Sequence, residues 1–203
     1  MKKWWLMALL LASGMANAAI ELGKDYVLLP QPQAVANPKK VEVIEFFSYH
    51  CIHCYELEPA LTAWEKKRPA DVNFRKEQIV WQKPMEGFAR LFATMNATGT
   101  LAKLNRPAFE AVVKNRINLA DASVLTGWIR KQPGIDAAKF MQAYSSFSVN
   151  AQVARAVKIT RDYNIEGTPT FVVNGKYAIQ PAAPERVLQV LNELIAKARA
   201  EKK

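Results

Sequence analysis

Cysteine and histidine are scarce in this 203-residue chain, with two of each. All four fall within His50-Cys51-Ile52-His53-Cys54. Two cysteines cannot build a disulfide scaffold. A bridge between them would close so short a loop that it would take little entropy from the unfolded chain. A structural zinc site wants four ligands, commonly completed by a second Cys or His pair elsewhere, and the chain has no such pair. Long apolar runs are also lacking. Trp4 to Leu11 carries no charge, but a spanning helix needs about 20 apolar residues. No later stretch is long and apolar enough, and there are no internal repeats or low-complexity segments.

What remains is an apolar-rich chain. Half of its residues are apolar, enough for a substantial core in one or two domains. It begins Met1-Lys2-Lys3, continues through the uncharged run and reaches Ala16-Asn17-Ala18. Basic start, apolar centre and small-x-small end are the order of a secretory signal. The sequence predicts cleavage after Ala18 and a soluble mature protein starting at Ala19. Cleavage would remove Lys2 and Lys3, lowering the formal charge of +10 by two. The remaining positives, such as Lys83, Arg90, Lys103 and Arg106, are scattered, and the aromatics among them have core-like spacing. That surplus predicts solubility and attraction to acidic surfaces; it specifies no nucleic acid. Export would place the two cysteines where disulfides persist, which favours redox chemistry over stapling.

Along the mature chain, Tyr26 to Leu29 is a short apolar run ended by Pro30 and Pro32, suited to an edge strand. Val41 to Phe47 is nearly continuously apolar, a central strand covered on both faces, interrupted by Glu45. From Cys51 to about Lys67, Leu57, Leu61 and Trp64 fall on one helical stripe, with Pro59 inside it. Val72 to Val80 predicts another strand. From Pro84 to about Tyr163 only helical periodicity is visible. Pro107 there is placed near a helix's first turn, and Asp121, Asp136 and Asn150 are placed as helix caps. Strand character returns at Thr170 to Val173, followed by Asn174-Gly175, a strong hairpin signal. Lys176 to Ile179 predicts its second strand, and Pro184 opens a final helix.

The expected layout is therefore a signal segment at 1–18, an α/β portion at 19–82, an all-helical insertion at 83–163, and the rest of the α/β portion at 164–203. A Cys-x-x-Cys at the start of a helix that follows a strand is the thioredoxin-like redox placement. Helix-terminal N–H groups and the helix dipole favour negative charge on the first sulfur, and the thiolate is the attacking species in disulfide exchange. His53 adds a switchable positive charge beside the pair. Glu45, a carboxyl inside an apolar strand, should titrate above its usual range through desolvation and suits proton exchange.

Three features together resemble the DsbA-type thiol:disulfide oxidoreductases of the bacterial periplasm, within the thioredoxin superfamily. They are Glu-Phe-Phe-Ser-x-x-Cys-x-His-Cys at residues 45–54, Gly-Thr-Pro-Thr-Phe at 167–171, and the helical block between them. The likeness covers essentially the whole mature chain and implies a thioredoxin fold with a large helical insertion. It implies that Cys51 is the exposed nucleophile, Cys54 the buried resolving thiol, and His53 the residue that stabilises the Cys51 thiolate. Pro169 would be a cis-proline facing the disulfide, and the Thr168 backbone would pair with a substrate peptide as an added strand. Glu45 matches a buried acid near the resolving cysteine.

The chain departs from that pattern at three positions. Ile52 stands where the best-known members have proline, His50 where an aromatic is common, and Thr168 where others have valine. These residues flank the sulfurs and bear on potential and substrate contact.

The implied activity is oxidation of reduced, unfolded exported proteins by a monomer. The redox element is the Cys51–Cys54 disulfide itself, with no bound cofactor or metal, and the implied reoxidant is a DsbB-like membrane quinone reductase. Two other readings fit the same residues. One is a disulfide isomerase or reductase, whose relatives in that compartment usually carry a dimerisation region ahead of the redox domain, where residues 19–40 leave little room. The other is a non-catalytic metal- or peptide-binding module.

Overall fold

The computed structural model describes residues 19–202. The expected signal segment at 1–18 lies outside the described residues. The elements run β1 (Tyr26–Leu28), β2 (Val41–Phe47), α1 (Ile52–Lys67) and β3 (Val72–Gln78), then five helices: α2 (Glu86–Ala97), α3 (Leu101–Phe109), α4 (Ala122–Ile129), α5 (Ala137–Tyr144) and α6 (Phe147–Asp162). β4 (Thr170–Val173), β5 (Tyr177–Ile179) and α7 (Pro184–Ala200) close the chain.

One five-stranded sheet has the order β1-β5-β4-β2-β3. β2 and β3 are parallel, with α1 as the crossover the parallel pairing requires. β4 lies antiparallel on the other side of β2, pairing Glu45 with Phe171 and Phe46 with Thr170. This register carries the 167–171 loop to the end of β2 from which the Cys51 loop leaves. The β4–β5 hairpin turns at Asn174 (φ 53°) and Gly175 (φ 64°), the left-handed pair that Asn-Gly favours. A side chain on Gly175 would also run into the Gln33 carbonyl.

Every residue of β2 is buried, as its apolar run predicts. Val41 and Val43 face a cluster built with Leu57 and Leu61 of α1 and Val187, Val190, Leu191 and Leu194 of α7. Ile44 and Phe46 face the opposite way, against Met85, Ala89, Val153, Ala156 and Ile159. A third cluster fills the helical insertion, and it reaches across to Phe47, Tyr49 and Cys54. Cys54 is thus part of the insertion's own core.

Three local expectations are corrected. Pro107 lies well inside α3, which starts at Leu101 and runs on into a π-helical turn at Glu110–Lys114. The proline removes one intrahelical donor, but burial of Leu104, Ala108 and Phe109 outweighs that loss. Asn150 does not cap α6. Ser146 does, its Oγ accepting from Val149 N–H at 3.3 Å, and Asn150 instead accepts from Arg90 at 2.5 Å. β3 stops at Gln78 rather than Val80 because the Val80 N–H turns away to the Thr160 hydroxyl at 3.1 Å. Asp121 and Asp136 do cap α4 and α5 through their side chains.

Candidate active site

Cys51 is the N-cap of α1, and its sulfur accepts a hydrogen bond from the Cys54 backbone N–H at 3.3 Å. The cap position follows from local sequence: Val41–Phe47 must end its strand before the Leu57/Leu61 stripe can begin a helix. Both thiols are free, Cys51 partly exposed and Cys54 fully buried. Their environments push them in opposite directions. The Cys54 thiol, hydrogen-bonded to Cys51, does most to lower the Cys51 pKa to about 5, against a desolvation cost. Thr168 and the backbone N–H groups of Cys54 and His53 lower it further. Burial pushes the Cys54 thiol far up, and the Cys51 sulfur and Glu45 add to that.

The Thr168–Pro169 bond is cis, and the Thr168 carbonyl oxygen lies 3.1 Å from the Cys51 sulfur. Only the protonated thiol can donate to that oxygen, so the Thr168 carbonyl opposes ionisation, while the Cys54 thiol, the Thr168 side chain and the α1 N–H groups favour it. The Thr168 side of the site opens into a groove of about 660 Å³ lined by Leu28, Leu29, His53, Thr168, Phe171 and Ala178, among others. On the opposite side, His50 and Ile52 line a second depression with Val112, Val113 and Arg116. Ile52 is 44% exposed beside Cys51. The His50 ring packs edge-on against Phe88 at 4.4 Å, and partial burial lowers its pKa. The His53 imidazole turns outward, its Nδ1 3.3 Å from Glu56 Oε2. Its backbone N–H, rather than its ring, is what bears on the Cys51 sulfur.

Beneath the sulfurs lies a buried charge cluster. Glu45 is 1% exposed, and desolvation raises its pKa to about 7 despite the attraction of Lys76. The Lys76 Nζ contacts Glu58 at 2.6 and 2.8 Å and Glu45 Oε2 only at 3.5 Å. Glu45 Oε2 has no hydrogen-bond partner among the described residues. Burial works against the Lys76 charge, but Glu45 and Glu58 outweigh it and hold its pKa above the usual value. A protonatable acid thus stands next to a high-pKa thiol, the arrangement for proton exchange.

Of the residues singled out in the sequence, the structure brings Cys51, Cys54, Ile52, Thr168, Pro169 and Glu45 together around one pair of sulfurs. His50 packs into the insertion beside them, and the His53 side chain is largely exposed, paired with Glu56 at the edge of the groove. Sequence reasoning passed over Glu58, Lys76, Tyr49 and Asn105. Signals existed for two of them. Glu58 sits beside Leu57 in the buried stripe of α1, and Lys76 occupies an inward position of β3 in phase with Val72 and Phe74. Tyr49 and Asn105 meet only through the tertiary fold.

Comparison with known proteins agrees with this geometry. The DSBA-like thioredoxin domain family model matches residues 77–192. A thiol:disulfide interchange protein DsbA of Burkholderia cepacia is 38% identical over 97% of this chain and 96% of its own length. Its counterpart in Pseudomonas syringae pv. tomato is 37% identical over 94% of this chain and 90% of its own. The oxidoreductase NmDsbA1 of Neisseria meningitidis superposes with a TM-score of 0.84 at 36% identity, covering 90% of this chain and 95% of its own. With a site of this geometry, and relatives matching over nearly their full length, the chain belongs to the DSBA-like thioredoxin domain family.

Proposed function

We propose that this protein is a thiol:disulfide oxidoreductase that donates its Cys51–Cys54 disulfide to reduced, folding exported proteins. The observation that carries the proposal is the contrast between the two thiols: Cys51 is the partly exposed N-cap of α1, its sulfur accepting from the Cys54 N–H, while Cys54 is fully buried, which favours the thiolate at the first and opposes it at the second. Stabilising the reduced thiolate makes the disulfide oxidising, because the reduced product is the lower-energy side.

In the reaction, a substrate thiolate attacks the Cys51 sulfur of the oxidised pair. The Cys51–Cys54 bond breaks and a substrate–Cys51 disulfide forms. Cys54 departs with the bonding electrons. As a high-pKa leaving group it departs faster when protonated, and Glu45 supplies that proton. A second substrate thiolate then attacks the substrate sulfur and expels Cys51 as its stable thiolate. The substrate has lost two electrons, and the protein holds them as Cys51 thiolate and Cys54 thiol. The Thr168 backbone aligns the substrate as a short added strand, and Ile52 and His50 form the rim on the far side. The redox element is the cysteine pair, with no bound cofactor or metal. A membrane quinone reductase of the DsbB kind takes the electrons, and the protein works as a monomer in the periplasm after removal of residues 1–18. The leader-like pattern of those residues supports export. No helix among the described residues is long and apolar enough to cross a membrane.

Oxidation of a two-cysteine peptide, run beside insulin reduction, tests the proposal. Wild-type protein should oxidise the peptide rapidly and reduce insulin poorly. Cys51→Ser should abolish both, and Cys54→Ser should accumulate mixed disulfides through Cys51. Near-normal oxidation by Cys51→Ser would overturn the assignment. Tight stoichiometric zinc binding by the reduced protein, without peptide oxidation, would favour a metal-binding module instead.

A further inference from the structure

The buried cluster beneath the cysteines does not end at Glu58. The side-chain amide of Asn105, on α3 of the helical insertion, donates to Glu58 Oε1 at 2.7 Å. Asn105 Oδ1 in turn accepts from the Tyr49 hydroxyl at 2.8 Å. Tyr49 sits two residues before Cys51 and is fully buried, and Asn105 is 8% exposed. The Tyr49 backbone N–H is itself fixed, donating to Gln78 Oε1 at 3.0 Å. A continuous chain of hydrogen bonds thus runs from the loop that carries Cys51, through one side chain of the insertion, to a carboxylate of α1.

The geometry orients each member. Glu58 Oε1 faces the Asn105 amide, Lys76 Nζ at 2.8 Å and, at the limit of contact, the Thr62 hydroxyl at 3.5 Å; Oε2 faces Lys76 Nζ at 2.6 Å. All of these are donors, the surroundings of a carboxylate. With the amide nitrogen directed at Glu58, the amide oxygen is left to accept from the tyrosine hydroxyl. Lys76 therefore leans on Glu58 and stands 3.5 Å from Glu45. Glu45 is the less closely partnered acid of the two, its Oε2 making no hydrogen bond among the described residues.

We propose that Asn105 is a positioning residue for the chemistry of Cys54: it ties the Glu58 carboxylate in place beside Lys76 and so keeps the lysine ammonium turned away from Glu45. The inference rests on the reading that Glu45 exchanges a proton with Cys54. The charged and titratable groups that face Glu45 are Lys76 from β3, Glu58, Glu65 and Cys54 from α1, and Tyr49 from the loop between β2 and α1. Its partner across β4 is the uncharged Phe171. Lys76 is the one cation of the set, so its lean decides how readily Glu45 ionises. Without the Asn105 amide, Glu58 loses a charge-assisted donor and Lys76 swings toward Glu45. Glu45 then gives up its proton at lower pH. The helical insertion in this way sets the proton supply of a cysteine it also encloses.

The test is a carbon-13 NMR titration of the Glu45 carboxyl, paired with the pH profile of the step in which Cys54 resolves a mixed disulfide at Cys51. In wild-type protein the Glu45 midpoint should lie at about 7. In Asn105→Ala it should fall by about one pH unit, the scale set by a closer opposite charge. The Cys54 profile should move with it, while the pH profile of initial attack on Cys51 stays put. In a Glu58→Gln background the Asn105 substitution should move neither quantity, because its route has been removed. A folded Asn105→Ala with an unmoved Glu45 midpoint overturns the proposal, as does an equal shift in the Glu58→Gln background. If Asn105→Ala does not fold, Tyr49→Phe keeps the ring and frees the amide to turn. It should shift the midpoint the same way by less, and no shift there overturns the proposal too. Glu45→Gln separates the proton exchange from the positioning. If it leaves the Cys54 profile unchanged, the proton-exchange reading is what fails. If it removes the inflection while Asn105→Ala moves nothing, only the positioning role fails.

Discussion

Cys51 and Cys54 stand three positions apart on one helical turn, yet one thiol is drawn down to about 5 and the other is driven far up. The difference is environmental: the Cys54 thiol and then the helix-start N–H groups around the first, apolar core and a neighbouring carboxyl around the second. Glu45 extends the same contrast to acids. Its folded value of about 7 lies above its unfolded one of about 4.3. A carboxyl raised in this way costs the fold nothing below its unfolded value. It costs progressively more as pH rises, levelling off above the folded value. Glu45→Gln should therefore stabilise the protein by about 2–3 kcal/mol at pH 8, with the gain gone by pH 4. Urea melts at the two pH values check this. A variant less stable than wild type at pH 8 would mean that the Glu45 charge is a net asset through Lys76. At this scale the sequence announced Glu45, because a lone acid in an apolar run is conspicuous. It could not announce Asn105, whose contacts are 47 and 56 residues away along the chain and depend on how α3 docks.

The elements that hold the site were legible wherever local chemistry decides. Asn174-Gly175 demanded its turn, and Asp121 and Asp136 announced two helix starts. Local rules failed where packing overrides them. Pro107 was placed near a helix start, but the buried face of Leu104, Ala108 and Phe109 carries α3 through it. Ser146 and Asn150 are both good caps, and the burial of Val149 between them selects the earlier one. The docking of α2 yields a prediction of its own. A side chain on Gly87 would overlap the Ala120 backbone, which cannot yield as a flexible side chain would. Gly87→Ala should cost about 3 kcal/mol, the upper end for overpacking, seen as a lower urea midpoint. An unchanged midpoint would show that the loop before α4 can move aside. Asp121→Ala removes a side chain that accepts from two α4 N–H groups and should cost about 1 kcal/mol.

For the whole molecule, the thioredoxin-like sheet and the helical insertion share the redox centre rather than merely abutting it. Cys51 caps a helix of the first, and Cys54 is packed in the core of the second. Overall stability should then report the redox state. The Cys51 value falls from about 8.5 unfolded to about 5 folded. A depressed folded value contributes stability fully present above the unfolded value and lost as pH falls through the folded one. At pH 7 the shift is worth at most about 3 kcal/mol, and about 2 once solvent screening of the partly exposed sulfur is allowed for. The short disulfide loop offers only a modest opposing entropic term to the oxidised form. Urea melts of reduced and oxidised protein at pH 7 and pH 4 measure this balance directly. The account predicts a reduced form that is the more stable at pH 7, by less than the ionic contribution because the loop entropy opposes it, and an advantage that is lost by pH 4. An oxidised form as stable or more stable at pH 7, or a gap that persists at pH 4, would contradict the claim that the fold makes this disulfide oxidising by holding Cys51 as a thiolate.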